Sequence, residues 1–239
     1  MNTWIFQADP GQFRIDDFLA TSPEMCLWRA SKTQSKMRVG DAVYLWRSIG
    51  GGDRSRAGVV AKAAISAPVA GMRDDTPSNE FWLDRSDADN IFDRVAIRFT
   101  CTDRRIAYDD LKSDPILCGT TIVKAGIGTN FLLKVDHAKR LEAIWSKCGE
   151  AWNRTEIFEA LLAYESGTKQ EVLATQVGRA ISDVRKKLAS FQNIDPRSPF
   201  ASPSPVHSAE CDLWKEFYDH HAQQLRIGDL RRELERHPT

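Results

Sequence analysis

The periodicity of the chain changes once, near Asp136, and that change limits the folds open to it. Before it come short runs rich in β-branched and aromatic residues: TWIFQA (3–8), DAVYLWRS (41–48), RAGVVAKAAIS (56–66), RVAIRFTCT (94–102) and NFLLKV (130–135). Each is bounded by Gly, Pro, Asp or Asn, which reads as strands punctuated by turns. Short helical segments, IDDFLATS (15–22) and YDDLKSDPIL (108–117), lie between them. After Asp136 the spacing of apolar residues is helical, through DHAKRLEAIWSKC (136–148), NRTEIFEALLAYESG (153–167) and KQEVLATQVGRAISDVRKKLASF (169–191). Asn153 with Glu156 three residues on predicts a capping box, and Gly178 predicts a break between two helices. A Pro/Ser-rich linker is expected at 195–207 and one last helix over 209–236. The expected fold class is therefore α+β: residues 1–147 form a small, strongly bent barrel-like sheet with short helices, and residues 150–239 an all-α domain.

A chain of 239 residues is long enough for two such domains. Lys+Arg and Asp+Glu both number 33, so any nucleic-acid role rests on local patches rather than bulk charge. The five cysteines (Cys26, Cys101, Cys118, Cys148, Cys211) are scattered and form no CxxC pair. That pattern argues for reduced thiols, against a disulfide framework and against a zinc site. No stretch approaches a membrane span, and MNTWIFQADP lacks the features of a signal peptide. The expectation is a soluble, cytoplasmic protein with no membrane partner and no cofactor.

Four tryptophans, Trp4, Trp28, Trp46 and Trp82, are a heavy load for one small β domain, and two of them sit in the basic contexts CLWRASK and YLWRS. Each could be core, since an indole supplies apolar area and asks only for a partner for its N–H. Strand alternation puts Trp46 and Arg47 on opposite faces. Arg29, Lys32, Lys36, Arg38, Arg47, Arg54 and Arg56 crowd two neighbouring stretches opposed nearby only by Asp41 and Asp53. Such a cluster is either a solvated surface or a set of phosphate contacts. The glycines of AGIGTNF lack the strand–turn–helix setting of a dinucleotide fingerprint.

The order WIFQADPGQFRIDDF, LWRASKTQSKMRVGDAVYLWRS, AGVVAKA, RVAIRF, GIGTNFLLK resembles an EVE domain, a PUA-like fold related to the YTH readers of methyladenine. The resemblance covers roughly residues 1–145. It implies a compact barrel whose aromatic pocket takes one extruded modified base. Stacking contributes about 1–3 kcal/mol per base, an unpaired buried base edge costs about 1–3 kcal/mol, and flipping costs a few more, offset by cations on the backbone. By position, Trp28 matches the cage tryptophan after the first helix, and Trp82 the place of a second wall. Trp46 is a further pocket candidate. Gln7 and Asp9 are candidates for reading the base edge, with Asp9 equally a turn residue before Pro10. Ser48 could bond the base or its own turn.

The second half resembles the helical segment ahead of HNH modules in some bacterial restriction-type proteins, through WNRTEIFEALLAYES, GRAISDVRKKLASF and DP. Its outline is helix-turn-helix, with Arg179, Arg185 and Lys186 on the helix that could face DNA. No His-Asn-His pattern, Asp…Glu-x-Lys core, P-loop or nucleophile–base pair is visible, so no catalytic or metal-binding residue is named. The resulting expectation is a reader of 5-methyl- or 5-hydroxymethylcytosine or N6-methyladenine in nucleic acid, DNA rather than RNA, in a restriction or defence setting. Its helical half would bind DNA, form a homodimer or dock an effector nuclease. The alternatives are a divergent nuclease with an unrecognised metal site, using for example His220, and an RNA-binding regulatory module.

Overall fold

The computed structural model describes residues 1–30, 34–50, 53–124, 126, 128–202 and 208–236. The chain divides into two compact units, Met1–Cys148 and Gly149–Thr239. Along the first run β1 (Thr3–Ala8), α1 (Ile15–Ala20), β2 (Met25–Arg29), β3 (Ala42–Arg47), β4 (Gly58–Ile65), β5 (Ala70–Met72), α2 (Ser86–Asp89), β6 (Phe92–Cys101), β7 (Ile106–Ala107), α3 (Tyr108–Ser113), α4 (Thr121–Lys124), β8 (Asn130–Leu132) and α5 (Val135–Lys147).

Period-two alternation decides what each strand buries. Trp4, Phe6 and Ala8 of β1 and Val43 and Leu45 of β3 enter one apolar core. Tyr44 and Trp46, between and beyond them, pack on the other face against Trp145 of α5 and Tyr108 of α3. Because both faces are covered, DAVYLWR reads as an almost continuous apolar run.

The strand order is β2-β6-β4-β3-β1-β8, with β5 added on β6 and β7 on β4. β1 and β3 are parallel and the other neighbours antiparallel. Register shifts at Leu45/Trp46 and Lys62/Ala63 bend the sheet. The bend brings the two ends of that order together: Asn130 at the head of β8 donates from Nδ2 to the Arg29 carbonyl at the end of β2, 3.2 Å away. The result is the expected curled, barrel-like sheet with short helices. Strand β2 was not among the runs read from the sequence.

The Gly40–Asp41 turn has a structural task. Asp41 is buried and accepts from the Trp4 indole (3.0 Å) and from the backbone N–H of Asn2 (2.8 Å) and Arg38 (3.1 Å). Burial alone raises its pKa, but these hydrogen bonds outweigh burial and hold it below the ordinary carboxyl value. A depressed folded-state pKa means the contribution is complete at neutral pH and is lost as pH falls below about 4. Asp41→Asn is expected to cost the first unit about 1.5 kcal/mol at pH 7 and to flatten its stability profile below pH 4, read from urea midpoints across pH.

The second unit contains α6 (Arg154–Ser166), α7 (Gln170–Val177), α8 (Ile181–Ile194), α9 (Ala209–Phe217), β9 (Tyr218–Asp219), β10 (Gln224–Leu225) and α10 (Ile227–Arg236). The capping box forms: Asn153 and Glu156 exchange side-chain-to-backbone bonds of 2.9 and 3.0 Å. Leu161, Leu173, Ala174, Val184, Phe191, Trp214 and Leu230 share its core. Two expectations are corrected. The single last helix is two helices separated by a short ribbon, because the Asp219 carboxylate caps the N–H groups of His221 and Ala222 and Gln223 takes a positive φ of 51°. The start of the expected linker is not extended chain. Asp195 is buried, accepting from Tyr164 (3.0 Å) and Arg197 (2.9 Å), and Arg197 also binds Glu165. Residues 203–207 lie outside the described residues. Among the described residues no helix is long and apolar enough to cross a membrane.

Candidate nucleic-acid interface

The ends of β1, β2 and β3 meet at one rim of the sheet. β1 leaves the sheet at Ala8, whose carbonyl accepts from Ser48 N–H just past β3 (2.9 Å). The Asp9 carboxylate accepts from Gly11 N–H (2.9 Å) and lies on the 48–50 loop. A Cβ at Gly50 would come within 2.3 Å of that carboxylate, so a larger residue there would push the Asp9 side chain aside. The Asp9 carbonyl in turn accepts from Phe13 N–H (2.9 Å), and the Phe13 ring packs edge-on to Trp28 of β2, centroids 5.7 Å apart. Asp9, Ser48, Phe13 and Trp28 are thus tied into one rim.

Trp28 is 3% exposed and belongs to the core cluster, yet among the described residues nothing accepts a hydrogen bond from its buried indole N–H. A buried, unanswered donor costs about 1–3 kcal/mol and calls for an explanation. Trp82 differs. Its indole donates to Asp74 at 2.8 Å, a carboxylate also held by Ser78, and its ring lies against Phe13, centroids 4.9 Å apart.

The expected open cage of indoles is therefore corrected: Phe13, which the sequence reading passed over, packs against both Trp28 and Trp82 in a closed aromatic cluster. Trp46 is corrected too, since alternation turns it to the opposite face, edge-on to Tyr108 at 5.8 Å. Gln7 alternates with Phe6 and Ala8 and likewise leaves that core; its Nε2 donates to the Gly126 carbonyl (3.0 Å), and its buried Oε1 has no partner among the described residues.

The basic stretch is largely neutralised by acids from elsewhere in the chain. Arg29 pairs with Asp87 (3.0 Å) and lies over the Phe92 ring, 3.6 Å from its centroid. Arg54 pairs with Asp109 (2.5 Å), and Asp16 binds both Arg56 (2.9 Å) and Arg47 (3.0 Å). Arg47 is 4% exposed, which removes it from the phosphate candidates: its guanidinium serves to hold α1. Lys36 and Arg38 are exposed, with Arg38 donating to the Ser35 and Met37 carbonyls. Lys32 lies outside the described residues. In the second unit Arg185 and Lys186 are exposed, but Arg179 is 2% exposed and paired with Glu156 at 2.7 Å, so it faces the core and not DNA. Among the described residues no group of three or more His, Cys, Asp or Glu side chains is placed to hold a metal ion.

A curled mixed sheet with β1 and β3 parallel and its end strands meeting defines a PUA-like barrel. A family model described as EVE domain matches residues 2–144, and the chain belongs to the EVE domain family. No curated protein sequence matches it. Similar solved structures include a hypothetical protein from Leishmania major, 20% identical over 59% of this chain and 92% of that one, with a TM-score of 0.42. Human THYN1 in complex with DNA containing 5-methylcytosine is 17% identical over 59% and 95%, TM-score 0.42. A protein from Pseudomonas syringae is 17% identical over 59% and 97%, TM-score 0.42. At such identities these are likenesses of fold.

Proposed function

We propose that the first unit reads a single modified base in nucleic acid, taken from the helix at the rim formed by Asp9, Ser48, Phe13 and Trp28. The observation that carries the reading is the sealed, unpartnered indole N–H of Trp28 in a chain of the EVE family. A base carbonyl or ring nitrogen would satisfy that donor. The indole would stack on or flank the base, and Asp9 would accept from an exocyclic amine. Phe13 would have to yield part of its contact with Trp28 to admit the base, so binding is coupled to a local rearrangement. Arg29, Arg54 and Arg56 stand at or just beyond the ends of β2 and β3, where a phosphate would compete for them with Asp87, Asp109 and Asp16, whereas Lys36 and Arg38 lie beside Asn2 at the opposite end of β1 and β3.

DNA is the proposed substrate and a restriction or defence role the proposed setting, the latter resting on the motif order of the second half alone. 5-Methylcytosine, the base in the DNA bound to human THYN1, is the first probe, with 5-hydroxymethylcytosine and N6-methyladenine in the same assay. Fluorescence anisotropy at fixed salt is expected to give at least about tenfold tighter binding to a duplex carrying one such base than to its unmodified twin, a difference of about 1.4 kcal/mol. Equal affinities for all four duplexes contradict the proposal. Tighter binding to the corresponding RNA moves the reading to an RNA regulator.

A further inference from the structure

The polar face of α8 is not used by the base-reading site, and its chemistry is specific. α7 ends at Gly178 in the left-handed conformation (φ 72°, ψ 19°), with Arg179 N–H closing the turn onto the Ala174 carbonyl at 3.1 Å. Two residues after Arg179 α8 begins, and Ala174, fully buried at that helix pair, leaves room for close packing. Arg179 locks the turn from inside, bonding Glu156 of α6 and the carbonyls of Glu150 and Ala151. Three helices are thereby fixed, the last two joined by a short glycine-bearing turn, which is helix-turn-helix geometry.

Ile181, Val184 and Phe191 of α8 are buried, with Leu188 packed against the same core. Lys187 is also spent, paired with Glu210 and set over the Trp152 ring. What remains exposed at helical spacing is Arg185, Lys186, Ala189, Gln192 and Asn193. Lys186 is 81% exposed, and its nearest acid, Asp183, is 4.0 Å away. Arg185 is oriented by a 3.3 Å bond from its Nε to Gln170. The stripe holds no large apolar side chain that could anchor a protein interface, and the carboxylate beside it, Asp183, is half-buried and paired with Lys186. It does hold the side chains that pair bidentately with guanine (Arg, Lys) and with adenine (Asn, Gln) in the major groove, and in Ala189 a methyl of the kind that packs on thymine.

We propose that α8 is a second nucleic-acid site, one that reads unmodified base pairs of B-form DNA from the major groove. A-form RNA is disfavoured because its major groove is too deep and narrow to admit a helix. The helix would then read a short sequence whether or not a modified base is present. This goes beyond the proposed base reading and does not depend on it.

Selection from a randomised, unmodified DNA duplex pool with the full chain tests the proposal. The wild type is expected to enrich a short motif, and Gln192→Ala with Asn193→Ala to lose that enrichment. Arg185→Glu with Lys186→Glu is expected to weaken binding to the enriched duplex at least about 100-fold at low salt. The exchange Arg185→Lys with Lys186→Arg is expected to retain most of it. Both positions are exposed, so the thermal midpoint is expected to stay at the wild-type value, and Trp28→Phe is expected to enrich the same motif. Absence of enrichment, charge-reversal affinity within twofold of wild type, or equal competition by double-stranded RNA overturns the proposal. Loss of modified-base preference alone would sink the first reading and leave this one standing.

Discussion

Arg179→Ala is expected to destabilise the second unit by about 3–5 kcal/mol, the cost of removing one partner of a buried ion pair. The guanidinium is 2% exposed, 2.7 Å from the Glu156 carboxylate, donates to two backbone carbonyls and lies 4.5 Å from the centre of the Trp152 ring. Glu156 is itself the third residue of α6 and closes its capping box with Asn153. Without Arg179 its charge stays in the core with its cation gone, beside Lys187, whose pKa burial and the Arg179 charge together lower. A domain stable by about 5–15 kcal/mol keeps little in reserve after such a loss. Hydrogen exchange is the appropriate readout, because it reports each of the two units residue by residue. Amides of 153–194 are expected to lose protection while those of β1, β3 and β4 keep theirs. Arg179→Lys, with a single point charge in place of a fork, is expected to recover only part of it.

Substitutions at Trp28 are expected to separate folding from recognition. Trp28→Ala leaves a large void in the core it shares with Phe13, Phe18 and Phe6 and should cost the first unit about 3–5 kcal/mol, with binding lost as well. Trp28→Phe is more informative. It leaves a smaller void but removes a buried donor that has no acceptor among the described residues, a relief of about 1–3 kcal/mol. The two changes oppose, so stability is expected to move by no more than about 1 kcal/mol. Preference for the modified base is nevertheless expected to fall about tenfold, because the hydrogen bond formed only in the complex is gone. Chemical denaturation and binding of the same variant check both halves. At Trp82, whose N–H already serves Asp74, the same Trp→Phe change is expected to act mainly on stability.

The sequence made the architecture legible where local rules are sufficient. Alternation in TWIFQA and DAVYLWR places Trp46 and Arg47 on opposite faces, and Asn153, Glu156 and Gly178 mark the helix ends they occupy. What stayed hidden depends on distant partners. Nothing near Arg47 or Arg54 in the chain announces Asp16 or Asp109, so a stretch that looked basic is mostly paired. Arg179 follows a helix-ending glycine, as exposed cations often do, and only the fold brings Glu156 beneath it. The break in the last helix carries no Gly or Pro between Tyr218 and Leu225; it rests on an Asp219 side chain competing with helix for backbone N–H groups, as asparagines and aspartates do. Phe13 was passed over because one phenylalanine in a turn-rich stretch has no period to mark it, although its burial decides whether the indoles stand open or closed.

The most direct test follows the indole N–H resonance of Trp28 among the seven tryptophans in ¹⁵N-labelled full-length protein as a duplex with one modified base is added. Acquiring an acceptor is expected to move that signal downfield and to leave it in place when the unmodified duplex is added at the same saturation. A Trp28 signal that stays fixed while saturating modified DNA shifts the others would show that no base arrives there, and the assignment of this rim as the reading site would be wrong.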